Sequence, residues 1–173
     1  AGMQNGFDIA RVNELITRER EIVSRRESLL GPSYKLMYEH PVEFVRGEGV
    51  FLYDAEDNAY LDCYNNVPSV GHCNPAVVEA VSSQIATLNT HTRYMSENIL
   101  NYSEQLLNTF EPELGHVMYT CTGSEAVDLS LRIAKFYTGG TGIIVTDYAY
   151  HGITTTVAAI STTMGKYVPV DQH

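Results

Sequence analysis

A chain of 173 residues with 44% apolar side chains and no low-complexity tract carries enough hydrophobic material for one good core and is expected to be globular. Its 11 basic and 21 acidic residues leave a net charge of −10, which, without a Lys/Arg stripe interleaved with aromatics, excludes nucleic acid as a natural partner. No apolar run approaches the roughly 18 residues of a membrane span, the start is interrupted by Asp8 and Arg11 and has no signal-peptide core, and Cys63, Cys73 and Cys121 lack a C-x-x-C spacing, so no membrane, disulfide framework or zinc ribbon is expected and the reading is a reduced, cytoplasmic protein.

From Asp8 to Leu30 apolar residues come in pairs seven apart, Leu15/Ile16, Ile22/Val23 and Leu29/Leu30, which predicts one helix with a narrow apolar stripe. Gly31-Pro32 ends it. Glu14–Arg18 and Glu21–Arg25 are spaced to pair along its charged face. Between Glu43 and Tyr64 short runs rich in Val, Phe, Leu and Tyr are broken by Gly47-Glu48-Gly49 and Asp54 to Asn58, the pattern of a β-meander. Asn74-Pro75 reads as an N-cap followed by Pro at the first helical position, opening a helix whose Val77, Val78, Val81, Ile85 and Leu88 are expected to face the core. A further helix is expected from about Ser96 to Phe110, with Pro112 preventing its continuation.

The second half alternates. A strand from His116 to Thr120, a helix from Ser124 to Tyr137, a second strand from Ile143 to Thr146 and a Thr-rich segment from Ile153 to Ile160 read as a βαβ unit with a parallel, right-handed crossover. Thr120-Cys121-Thr122-Gly123-Ser124-Glu125-Ala126 sits where the strand becomes the helix, offering backbone N–H groups and a hydroxyl to an anion. Tyr150-His151-Gly152 begins 26 residues past Ser124, after the second strand, so a parallel sheet would place an aromatic ring beside that first turn. A phosphate held at one loop and a flat ring covered from the next suggest an aromatic phosphorylated cofactor.

Read together, the run from Gly49 to Asp62 (GVFLYDAEDNAYLD), Gly71-His72-Cys73-Asn74-Pro75, Thr122-Gly123-Ser124-Glu125-Ala126 and Tyr150-His151-Gly152 resemble the class III aminotransferases that use pyridoxal 5′-phosphate. Asn65-Asn66-Val67, Gly71-His72-Cys73 and Thr92-Arg93-Tyr94 look most like the branch containing ethanolamine-phosphate phospho-lyase. The resemblance implies an α/β fold, the fold type I architecture of pyridoxal-phosphate transferases. Residues 1–89 would form a helix, meander and helix of the small domain, and 90–173 the first part of the cofactor-binding large domain. It also implies a homodimer with its site at the interface, and transfer of an amino group between an amine or ω-amino acid and a 2-oxo acid. Alternatives are a phospho-lyase acting on a phosphorylated amino alcohol, or a non-catalytic cofactor-binding or dimerisation module.

Carried over residue by residue, Thr122, Gly123 and Ser124 would hold the phosphate, Tyr150 would cover the pyridine ring and His151 would tune or orient it. Asn66, Arg93 and Tyr94 would lie toward the substrate. Each has an ordinary structural alternative: Ser124 as an N-cap, Tyr150 as a core tyrosine, His151 as a satisfied structural histidine, Arg93 in an ion pair, Asn66 as a turn former. His72 and Cys73 lack two further ligands at metal-binding spacing, so no metal is expected. The family's Schiff-base lysine and the aspartate opposite the pyridine nitrogen are expected downstream of Tyr150-His151-Gly152, past His173; Lys35, Lys135 and Lys166 do not match that position, so the catalytic lysine is not assigned within these residues.

Overall fold

A computed structural model of the chain describes residues 6–64 and 69–164, in two compact units, 1–91 and 92–173.

The first unit opens with a 3-10 turn, Ile9–Glu14, capped by the Asp8 carboxylate, which accepts from Ala10 N–H at 3.0 Å. Helix α1 follows at Thr17–Leu29. The single helix expected from Asp8 to Leu30 is therefore broken at Leu15-Ile16. Leu15 takes an extended conformation that leaves its side chain 4% exposed, and Glu19 reaches back to accept from Ile16 N–H at 3.2 Å, giving α1 a start of its own. The break removes the i,i+4 geometry expected of Glu14 and Arg18. Glu14 instead pairs with Arg11 at 2.9 Å, and the Arg18 guanidinium donates to both Glu43 oxygens, at 2.8 and 2.9 Å. That fork holds the Glu43 carboxyl below its usual range and raises Arg18. Of the helix stripe, Val23 is buried at 3% exposure while Leu29 stays open.

The expected meander is present: β1 (Phe44–Glu48), β2 (Phe51–Asp54) and β3 (Ala59–Leu61) pair antiparallel in the order β1-β2-β3. Glu48 faces Phe51, and Phe51 faces Leu61. The β2–β3 turn is organised by Asp54, whose carboxylate accepts from Asn58 N–H and Asn58 Nδ2 (2.9 Å each), Tyr60 OH (2.9 Å) and Glu56 N–H (3.1 Å). Asp57 there adopts a left-handed φ of 64°. Arg46 stacks 3.5 Å above the Tyr53 ring and donates to Asp57 at 2.7 Å.

The 71–73 loop docks on the meander. Gly49 and His72 exchange backbone hydrogen bonds of 3.2 and 2.7 Å, and His72 Nε2 lies 2.8 Å from a nearly buried Asp62 oxygen. Gly71 must lack a side chain, with φ at 86° and the Gly49 backbone 3.0 Å from where a Cβ would stand. Asn74 then caps α2 (Pro75–Thr87), accepting from Ala76 and Val77 N–H at 3.1 and 3.4 Å, with Pro75 in the first turn as expected. The face of α2 differs from expectation: Val77, Val78, Val81, Ile85 and Leu88 are 49–67% exposed. Helical spacing reports that side chains share a face, not what covers it.

In the second unit α3 spans Glu97–Leu107, three residues shorter at its end than expected, and α4 spans Gly123–Thr138. Gly139, in the left-handed region at φ 68°, closes α4 by donating to Lys135 O at 2.9 Å. The Thr-rich segment forms a short helix, α5 (Thr155–Ala158), followed by a 3-10 turn, Thr162–Met164. Residues 116–120 and 143–146, expected as parallel strands, carry no ladder among the described residues. Strands joined by a crossover need not be sheet neighbours, and a strand whose neighbours are other segments pairs with neither. Val157, fully buried on α5, and Ser161, 4% exposed, mark the interior of this unit.

Candidate functional site

The first turn of α4 is built by a reciprocal cap. Thr122 Oγ1 accepts from Glu125 N–H at 3.1 Å, while the Glu125 carboxylate accepts from Thr122 N–H at 3.0 Å and from Cys121 N–H at 2.8 Å. This fixes the entry of the chain into the helix and takes up two of the four N–H groups that a helix start leaves without an intrahelical acceptor, those of Thr122 and Glu125. The N–H groups of Gly123 and Ser124 have no acceptor among the described residues, and a Cβ placed on Gly123 would meet nothing within 4 Å. An open, electropositive corner results, at the head of a 16-residue helix.

The loop after residue 146 closes on this corner. Ile153 N–H donates to Ser124 Oγ at 3.0 Å, leaving the hydroxyl proton of Ser124 to point elsewhere. Gly152, buried and at φ 137°, is packed so closely on Ser124 that a Cβ would stand 2.8 Å from the serine Cα and Cβ. Two residues 28 apart in sequence thus touch, and only glycine fits. Next to it, His151 is partly buried and its Nε2 is shielded from solvent without a hydrogen-bond partner among the described residues, whereas Tyr150 is 63% exposed.

The structure brings Ser124 against the Tyr150-His151-Gly152 loop, with Thr122 and Gly123 at the same helix start. Arg93 and Tyr94 occupy an exposed turn ahead of α3, Tyr94 at 65% exposure. Asn65 and Asn66 lie outside the described residues, as does Lys166. Lys35 and Lys135 are exposed, and among the described residues no group of His, Cys, Asp and Glu is placed to hold a metal ion. Sequence reading missed the residues behind the loop. Ser161 Oγ accepts from His151 N–H at 3.0 Å, and Thr162 Oγ1 accepts from Ala149 N–H at 2.8 Å. Three successive hydroxyl residues, Ser161-Thr162-Thr163, are the available signal in the sequence, just past the Thr-rich segment expected to end at Ile160.

The family model for class-III aminotransferases matches residues 34–169. The ethanolamine-phosphate phospho-lyase homolog 1 of Caenorhabditis elegans is 40% identical over 147 residues, covering 84% of this chain and 31% of that protein. The alanine–glyoxylate aminotransferase 2-like protein of Drosophila melanogaster is 37% identical over 142 residues, covering 82% of this chain and 29% of its own length. Among solved structures, a phospholyase from Arthrobacter in complex with phosphoethanolamine is similar with a TM-score of 0.81 and 46% identity, covering 88% of this chain and 36% of that one. The chain thus spans about a third of the length of the proteins it matches.

Proposed function

Because this chain belongs to the class-III aminotransferases, a family of fold type I whose cofactor is pyridoxal 5′-phosphate, we propose that it is the N-terminal portion of an enzyme acting on the amino group of a small amine. In this reading residues 1–89 contribute to the small domain and 90–173 begin the large one. Thr122, Gly123 and Ser124 hold the cofactor phosphate, Tyr150 covers its ring, and His151 lies beside it. Asn66, Arg93 and Tyr94 serve the substrate, Arg93 by the fork its guanidinium offers to a carboxylate or phosphate.

The observation that carries the reading is the contact of Ser124 with Gly152 and Ile153. It joins the two parts such a cofactor needs: donors for a phosphate at the head of α4 and an aromatic loop at its side. The Nε2 of His151, shielded and without a partner among the described residues, supplies a polar group for the ring or its substituents. When bound, the cofactor withdraws electrons from the amine-bearing carbon of the substrate. The chain's own share is to grip the phosphate, orient the ring and exclude water from its face.

Two reactions share these requirements: transfer of the amino group to a 2-oxo acid, and elimination of phosphate from a phosphorylated amino alcohol. The likeness to the Arthrobacter phospholyase, at 46% identity over 88% of the chain, favours elimination. The Drosophila aminotransferase-like relative, at 37%, supports transfer. Incubating the full-length protein with phosphoethanolamine and pyridoxal 5′-phosphate, without a 2-oxo acid, and measuring free phosphate separates them. Phosphate release establishes elimination; turnover of an amine donor that requires a 2-oxo acid establishes transfer; neither reaction, in a protein that binds the cofactor, leaves the binding-module reading.

A homodimer in the cytoplasm is part of the same proposal; three cysteines that are free and exposed fit the reducing compartment. None of Lys35, Lys135 and Lys166 serves as the Schiff-base lysine. Borohydride reduction of the cofactor-loaded protein followed by peptide mapping is expected to find no stoichiometric adduct on them.

A further inference from the structure

The loop that carries Tyr150 and His151 is held from behind by consecutive hydroxyl residues that no part of the proposed chemistry uses. Ser161 is the centre of this contact. Its Oγ accepts from His151 N–H at 3.0 Å and shares its proton between Val157 O, at 2.9 Å, and Gly152 O, at 3.2 Å. Thr162 Oγ1 accepts from Ala149 N–H at 2.8 Å and donates to Thr146 O at 3.2 Å. Thr163 donates to Ala149 O through both its N–H and its hydroxyl, each at 3.1 Å.

The backbone of residues 146–152 is thereby tied through four residues, Thr146, Ala149, His151 and Gly152, to a segment 9 to 16 residues later. Ser161 is the buried member, at 4% exposure, whereas Thr162 and Thr163 are exposed. On the opposite side the same loop meets Ser124, through Ile153 N–H and the glycine contact. A loop fixed on one side alone would swing. Fixed on both, it keeps the peptide between His151 and Gly152 in one place, and with it the ring of Tyr150 and the imidazole of His151.

We propose that Ser161 is a positioning residue for the cofactor site: its buried hydroxyl holds the His151-Gly152 peptide against the head of α4 and so sets where the Tyr150 and His151 side chains stand. The inference rests on the cofactor reading given above. Its chemistry is specific. The group must accept one backbone N–H and donate to a backbone carbonyl from a site too small and too buried for a long side chain, which serine and threonine satisfy and alanine does not.

The test compares Ser161→Ala and Ser161→Thr with the unmodified full-length protein, using amide hydrogen exchange without cofactor, melting temperature, and titration with pyridoxal 5′-phosphate followed by absorbance and circular dichroism. For Ser161→Ala, exchange at Ala149, His151 and Ile153 is expected to accelerate at least about tenfold, with protection in α3 unchanged, and the cofactor dissociation constant to rise about tenfold, the loss of one good hydrogen bond. The threonine variant is expected to restore both. Unchanged exchange or unchanged cofactor affinity in Ser161→Ala would overturn the proposal, as would a uniform rise in exchange across the unit that Thr does not correct. If the alanine variant does not fold, Ser161→Cys, of similar size with a weak acceptor, decides on the same readouts. An unmodified protein that binds no pyridoxal 5′-phosphate overturns the cofactor reading itself; one that binds it as tightly with alanine at 161 overturns the role of Ser161 alone.

Discussion

Gly152 and Ser124 are in direct contact: a Cβ on the glycine would stand 2.8 Å from both Cα and Cβ of the serine, and the glycine φ of 137° is a conformation that side chains rarely allow. The contact fixes how near the loop after residue 146 comes to the head of α4. Gly152→Ala is therefore expected to push the loop away and to destabilise the protein by roughly 1–3 kcal/mol, read as a lower denaturation midpoint with unchanged slope. Cofactor affinity should fall as well. Wild-type stability in this variant would mean that the loop has room the structure does not show.

Ser124→Ala removes the acceptor of Ile153 N–H and, in the proposed function, a donor to the phosphate. A hydrogen bond to a charged group contributes roughly 1.5–3 kcal/mol, so cofactor affinity is expected to drop about 10- to 150-fold. Lys135, exposed in the last turn of α4, is the control: Lys135→Ala should bind cofactor as the unmodified protein does. Equal affinity in the Ser124 variant would remove the phosphate role.

Thr122→Ala deletes half of the reciprocal cap on α4, leaving Glu125 N–H without its 3.1 Å acceptor. The expected loss is about 1 kcal/mol of unfolding free energy in the cofactor-free protein. Thr122→Ser, which keeps the oxygen, should recover most of it. Urea titrations of the three proteins provide the comparison, and equal midpoints for alanine and threonine would show that the cap adds no net stability.

The Asp54 carboxyl is held below its usual range, first by the side-chain hydrogen bond from Asn58, then by backbone N–H groups of Asn58 and Glu56 and by the Tyr60 hydroxyl, against the opposing effect of desolvation. A carboxylate whose folded pKa is depressed binds fewer protons folded than unfolded. Its stabilising contribution is thus complete above the unfolded value, near 3.8, and is lost as pH falls below that toward the lower folded value. Glu43, lowered by Arg18 from 4.5, acts in the same direction. Stability measured from pH 6 to 2, a window on the order of the usual carboxylate range and below, is expected to decline on acidification, less steeply in Asp54→Asn. Identical acid slopes would mean that the turn does not depend on the ionised form.

Legibility in the sequence followed the range of the interactions. The meander, the Asn74-Pro75 cap and the Thr122 to Ala126 helix start were readable because each is decided by residues within a few positions of one another. The break at Leu15-Ile16 was not, since the periodicity continues across it and only burial of Leu15 and the long-range fork from Arg18 to Glu43 distinguish two short pieces from one helix. For the site, the motifs marked both loops, but the contact between Gly152 and Ser124 and the hydroxyls of Ser161 to Thr163 are relations between segments that no local pattern encodes. The exposure of Val77 to Leu88 belongs to the same class, because a pattern names a face and only packing names its cover.

The β-meander has a consequence in time. Glu48 pairs with Phe51 and Phe51 with Leu61, so each closing loop is short and its entropic penalty small. The contact of Ser124 with Ile153, 29 residues apart, closes a longer loop. Sequence-local sheets form early and distant contacts late, which places the Asp54 turn ahead of the head of α4 in the order of assembly. Pulse-labelling hydrogen exchange during refolding should find the amides of Glu56 and Asn58 protected before that of Ile153; the reverse order would show that the late loop nucleates the fold.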